Sequence, residues 1–121
     1  MSRYFKAAQE SPAFLAGDAT LLQEIAHPLK DNWPIGYSLA KAQLDVGQSS
    51  LPHRLKSSEL YYVLSGTASI FIDGQEQTLQ AGDCCLVPAQ AEQYVQQKGN
   101  QPFHFLCIVE PYWQENDEDV L

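Results

Sequence analysis

His53, Glu59, Tyr61 and Gln93 are the residues whose types and spacing suit chemistry at one shared site. His53 and Leu55 lie two apart in an extended segment, so their side chains project from one face. Lys56-Ser57-Ser58 can turn the chain, after which Glu59, Tyr61 and Val63 share a face of the next strand. Gln93 and Val95 come back across the same interior. A histidine, a carboxylate and an amide thus converge in an apolar chamber, with a phenol beside them. A titratable set of this kind is suited to general acid–base work or to holding a ligand. A carboxylate in an apolar chamber tends to a raised pKa, which suits such work.

Strands must do the positioning. Glycine and proline punctuate the chain at Gly17, Pro28, Pro34, Gly36, Gly47, Pro52, Gly66, Gly74, Gly82, Pro88, Gly99, Pro102 and Pro111. The segments between them alternate or are rich in β-branched residues, a rhythm of all-β sandwiches and barrels rather than helices. Residues 37–46 start an extended run in which Leu44 and Val46 share a face. Residues 59–72 hold two strands meeting near Gly66, and Asp73-Gly74 is a type I′ turn signal leading into residues 75–79. Residues 84–87 read as a short buried strand stopped by Pro88. Residues 103–109 are apolar almost throughout, as in a strand covered on both sides, and Pro111 ends it. Residues 21–26 are read as a strand after a turn at Asp18-Ala19-Thr20, and residues 114–121 as an acidic tail that frays.

The stretch from Gly47 to Gly66 resembles the first signature of the cupin superfamily: a glycine, five residues, His-x-His, three or four residues, a glutamate, six residues and a glycine. Gly47, His53, Glu59 and Gly66 fall at the required places, while position 55 is leucine. Residues 82–97 resemble the second signature. Gly82 and Pro88 match, but Gln90, Gln93 and Gln97 stand where the family has a glycine, the last ligand histidine and an asparagine. The chain therefore looks like a small single-domain cupin (an RmlC-like jelly roll) with a degenerate metal motif. That resemblance implies a double-stranded β-helix over 37–113, an N-terminal arm over 1–36 adding a strand or two to its edge, and the tail 114–121.

It also implies a place for a metal. Typical cupins hold Fe, Mn, Ni, Cu or Zn with three histidines and a glutamate; here His53, Glu59 and Gln93 remain as candidate ligands. Losing two imidazoles cuts affinity for late divalent metals, so a Zn, Ni, Mn or Fe ion would be held weakly. The resemblance implies a small-molecule ligand in the barrel pocket, with or without the weakly held metal. One alternative is a metal-free acid–base enzyme similar to cupin-fold sugar epimerases, an isomerase type in which His53, Glu59 and Tyr61 act as base, orienter and acid beside a carbonyl. The other is a non-catalytic small-molecule sensor. His27 and His104 lack signature spacing and read as surface or rim residues, and one of Cys84 and Cys85 must face the core as a small hydrophobe.

Composition narrows the remaining classes. A chain of 121 residues and 13.5 kDa makes one domain with short arms. The net charge of −8 comes largely from five acids within 110–121. No Lys/Arg cluster exists, which argues against nucleic acid as a partner. No apolar run approaches the ~20 residues of a membrane helix. Three cysteines at 84, 85 and 107, without zinc-knuckle spacing, suit free thiols in a reducing cytoplasm. Leu60, Tyr62 and Leu64 form an outward apolar line on the predicted strand, which points to a homodimer.

Overall fold

Alternating burial runs through the strands of the computed structural model, which describes residues 3–121. The strands are β1 (Phe14–Leu15), β2 (Leu21–Ala26), β3 (Ser38–Leu44), β4 (His53–Leu55), β5 (Ser58–Ser65), β6 (Thr67–Ile72), β7 (Gln75–Gln80), β8 (Cys84–Val87), β9 (Gln93–Lys98), β10 (Phe103–Glu110) and β11 (Glu118–Val120). One sheet has the order β1-β2-β3-β10-β5-β8 and the other β11-β4-β9-β6-β7. All named pairings are antiparallel, and the two sheets form a jelly-roll barrel, a double-stranded β-helix. Helix among the described residues is limited to one short α-helix (Pro28–Asp31) and two 3₁₀ turns.

The core lies between the sheets. Phe103, Phe105, Leu44 and Val63 from the first sheet meet Ile70, Val95 and Ala68 from the second, all essentially inaccessible to water. Gly66 carries the chain from β5 in one sheet to β6 in the other at φ +85°. A Cβ there would stand 2.4 Å from the Pro102 carbonyl oxygen, so only glycine fits the crossing. Asp73 (φ 48°) and Gly74 (φ 82°) make the two-residue hairpin between β6 and β7, both in the left-handed region that a type I′ turn needs. At the end of the second signature, the Gln97 carboxamide accepts from Gly47 N–H and donates to the carbonyls of Lys98, Gly99 and Gln101. It staples two loops together.

Several local expectations need correction. Val46 does not share the buried face of Leu44: β3 stops at Leu44, and Val46 sits exposed in the following turn. β8 is not buried, because it is the edge of its sheet; Cys84 and Leu86 are exposed, and only Val87 is fully covered. β10 is covered fully on one face and only partly on the other, its residues alternating between buried and half-buried. His27 is no rim residue. Its Nδ1 accepts from Leu29 N–H, capping the short helix, and its Nε2 bonds the Trp113 carbonyl at 2.9 Å, all in a buried position.

The C-terminal segment differs most. Residues 115–117 form a 3₁₀ turn and β11 pairs with β4, Glu118 opposite Leu55 and Val120 opposite His53. Lys56 N–H donates to Asp117 and Leu121 N–H to the Pro52 carbonyl, extending the ladder at both ends. High charge did not make this tail fray, because β4 presents an otherwise open edge whose backbone groups need partners.

Candidate functional site

The first signature folds around β4 and β5, and its geometry follows from strand register. His53 opposes Gln93 across β4 and β9. Tyr61 opposes Cys107, and Glu59 opposes Val109, across β5 and β10. Because residues two apart share a face, His53 and Leu55 point inward together, as do Glu59, Tyr61 and Val63. Together these side chains bring both sheets to one chamber. It has a volume of about 290 Å³ and is partly open to solvent.

His53, Glu59, Tyr61, Cys107, Asp18 and Glu118 are among the polar residues of its wall, and Leu22, Leu55, Ala42 and Phe105 among the apolar ones. Gln93 is fully buried but stands behind that wall, where its Oε1 accepts a hydrogen bond from the Tyr61 hydroxyl. Tyr61 stacks on Phe105 with ring centroids 5.2 Å apart. Burial pushes the Tyr61 phenol well above its ordinary value, and the nearby Glu59 charge adds to this.

Glu59 is the most perturbed carboxylate of the site. It is 7% exposed, and its Oε1 has no hydrogen-bond partner among the described residues. Burial raises its pKa from 4.5 to about 7, His53 opposing the rise and Asp18 adding to it. The Cys107 thiol, itself driven up by burial, and the Gln93 amide lie beside it and moderate the shift. A carboxyl near neutrality inside an apolar wall can gain or lose a proton at little cost, the property asked of a general acid or base.

His53 is anchored from behind. Its Nδ1 bonds the Leu51 carbonyl at 2.8 Å, which leaves Nε2 turned to the chamber. Two acids that spacing did not reveal approach that nitrogen. Asp18, in the turn before β2, places Oδ2 3.9 Å from Nε2. Glu118 arrives on β11, and the donor atoms of Asp18, His53 and Glu118 all lie within 4.8 Å of one another. Burial raises the Glu118 pKa, with His53 opposing. Neither acid lies in a signature. The only sequence signals were the Asp18-Ala19-Thr20 turn and the alternation of Glu118 and Val120, which the surrounding charge obscured.

The structure thus brings His53 from one sheet and Glu59 and Tyr61 from the other to one chamber, and sets Gln93 behind its lining. The signature's metal set does not fit: Leu55 carries no donor and the Gln93 carboxamide oxygen is engaged by Tyr61. Glu59 is also outside the His/Asp/Glu group gathered around Nε2. That group is the one among the described residues with donors arranged for a cation.

Comparison with known proteins agrees with this architecture. The family model described as Cupin domain matches residues 40–109. An uncharacterized protein of Methanocaldococcus jannaschii is 28% identical over 109 residues, which are 89% of this chain and 86% of that one. Among solved structures, an RmlC-like cupin from Shewanella frigidimarina superposes with TM-score 0.76 at 19% identity, covering 95% of this chain and 96% of that chain. A Streptomyces PAC13 variant with uridine gives TM-score 0.78 at 19% identity over 100% of this chain and 92% of the other. A predicted oxalate decarboxylase from Thermotoga maritima gives 0.74 at 18% identity, over 87% and 96% of the two chains.

Proposed function

We infer that this chain, which belongs to the cupin domain family, binds a small uncharged metabolite inside its barrel, against His53, Glu59 and Tyr61. One observation carries the reading. Glu59 lines the 290 Å³ chamber and its buried Oε1 has no hydrogen-bond partner among the described residues, and a buried polar group left unpaired costs about 1–3 kcal/mol. A ligand hydroxyl or N–H would remove that cost.

Charge selects the ligand class. Asp18, Glu59, Glu115 and Glu118 line the chamber, and Lys30, the one lysine in its wall, is taken by Glu24 at 2.8 Å. Carboxylates and phosphates are repelled by such a wall. Hydroxyl-rich neutral molecules are not, and the structural likeness to a protein complexed with uridine supports that class. The same geometry favours acid–base catalysis as a second reading, with Glu59 as the proton carrier because its pKa is close to 7. The Tyr61 proton is committed to Gln93, so Tyr61 then serves as a positioning residue.

The partners follow from the outer surface. Leu60, Tyr62, Leu64 and Leu86 turn away from the core on adjoining strands, with Leu106 and Ile108 half-buried beside them. Such a face is suited to a second copy of the chain. Free thiols at Cys84, Cys85 and Cys107 fit a reducing compartment such as the cytoplasm. No helix among the described residues is long and apolar enough to cross a membrane.

A thermal-shift panel of nucleosides, sugars and polyols, set against keto acids and sugar phosphates, tests the binding. Uncharged members should raise the midpoint of the wild type and leave Glu59→Gln and His53→Ala unmoved. A response confined to anions, or one unchanged in both variants, would overturn it.

A further inference from the structure

We propose that Asp18, His53 and Glu118 hold a divalent transition-metal ion at the mouth of the chamber, in a shell assembled from both terminal segments and the first signature strand. The idea stands apart from metabolite binding, since two of its three donors lie outside the signatures.

Register supplies the first reason. Leu55 stands where the first signature expects its second histidine, and it offers no donor. Glu118 is the cross-strand partner of Leu55 on β11, so its carboxylate occupies the neighbourhood of the missing imidazole. Asp18 approaches from the other side. The donors of all three residues lie within 4.8 Å of one another, a spread that a cation with bonds of about 2.0–2.2 Å can gather with small side-chain movements.

Each donor is also held in place by the fold. Asp18 Oδ1 accepts from Thr20 N–H at 3.1 Å and Thr20 Oγ1–H at 2.7 Å, which leaves Oδ2 directed at His53. Leu51 ties the other two segments together: its carbonyl takes His53 Nδ1 and its N–H donates to the Asp18 carbonyl at 2.7 Å. Metal-ligating histidines are commonly oriented through their second nitrogen in this way. The 3.9 Å between Nε2 and Asp18 Oδ2 is too long for a hydrogen bond.

His53 itself points to an occupant: its side chain is 3% exposed, and Nε2, aimed at the two carboxylates, makes no hydrogen bond among the described residues. One nitrogen and two carboxylates suit Mn²⁺ through Zn²⁺ better than Mg²⁺, which has little preference for imidazole.

The test uses the full chain, purified without a nickel column and stripped with EDTA, titrated calorimetrically with MnCl₂, ZnCl₂ and MgCl₂. One Mn²⁺ or Zn²⁺ should bind per chain, with Mg²⁺ much weaker. Asp18→Asn and Glu118→Gln should each lower affinity about tenfold or more, since removing a ligand costs at least as much as removing its support. Asp18→Asn keeps the acceptor for Thr20, and Glu76→Gln, at an exposed acid of β7 away from the chamber, should bind as the wild type does. On metal addition to the wild type, amide exchange in Glu118–Val120 should slow, because the ion would fasten β11 to the arm; this reading needs no variant to fold. Absence of stoichiometric binding, unchanged affinity in both cluster variants, or binding without protection of β11 would each overturn the proposal.

Discussion

The Tyr61 hydroxyl donates to Gln93 Oε1, a buried bond that ties β5 of one sheet to β9 of the other. It stands directly behind the chamber wall and fixes the side of the Gln93 carboxamide on which the oxygen lies. Glutamine in this place is therefore a structural substitute for a ligand histidine, held by the phenol that neighbours Glu59.

Removing the phenol should expose how much that bond contributes. Tyr61→Phe leaves the Gln93 amide unsatisfied in the core and is expected to cost about 1–3 kcal/mol in urea denaturation. Pairing it with Gln93→Met, which removes the stranded amide, should recover most of the loss. A double variant as unstable as the sum of the two singles would show that the bond contributes nothing.

Glu59 should make stability fall as pH rises. Its pKa is 4.5 ordinarily and about 7 in the fold, so between these values the folded chain holds a proton that the unfolded chain has released. The stabilisation from that proton is complete below the lower value and gone above the upper one. Glu59→Gln, which has no such proton, should match the wild type near the lower value and exceed it by roughly 3 kcal/mol above the upper one. Urea melts of the two proteins across that window measure the divergence, and parallel curves would refute it.

How much of this was legible depended on where the information lay. Gly47, Gly66, Gly82 and Pro88 mark turns and a strand end, which local backbone rules expose, so an all-β barrel could be read from spacing. The jelly roll and the meeting of His53 with Glu59 at one chamber came from the resemblance to the cupin signatures. Asp18 and Glu118 are distant in sequence and meet His53 only because β11 docks on β4 and the Asp18 turn on Leu51. No periodicity carries that information. The tail in particular reads as solvated because its charges outnumber its apolar groups, whereas the open edge of β4 decides its fate.

Gln90 shows the opposite case, a departure from the signature that the backbone did not follow. It keeps the left-handed conformation (φ 70°) suited to the glycine it replaces, and its N–H donates to the Leu55 carbonyl at 2.7 Å. Holding a side chain there costs about 1–2 kcal/mol, partly offset by the greater freedom glycine has when unfolded. Gln90→Gly should thus stabilise the chain by up to about 1 kcal/mol, while Gln90→Ala, which keeps the Cβ, should not. Equal effects of the two in thermal melts would mean the strain is not there.

The outer face of the first sheet makes the last prediction. Tyr62 is 44% exposed, Leu64 41% and Leu86 59%, on the adjoining strands β5 and β8, whose register sets Leu60 against Leu86. Single exposed apolar residues are ordinary, but a contiguous group of this kind on a flat sheet face is costly to leave in water. Light scattering at micromolar concentration should give twice the 13.5 kDa of one chain. Tyr62→Glu places a carboxylate at the centre of the face, where pairing would force it out of water without a partner, so it should yield the monomer. Its side chain points away from the core, and the variant barrel should keep its strand content by circular dichroism. A wild type that scatters as 13.5 kDa, or a Tyr62→Glu protein that remains twice that mass, would remove the face from consideration.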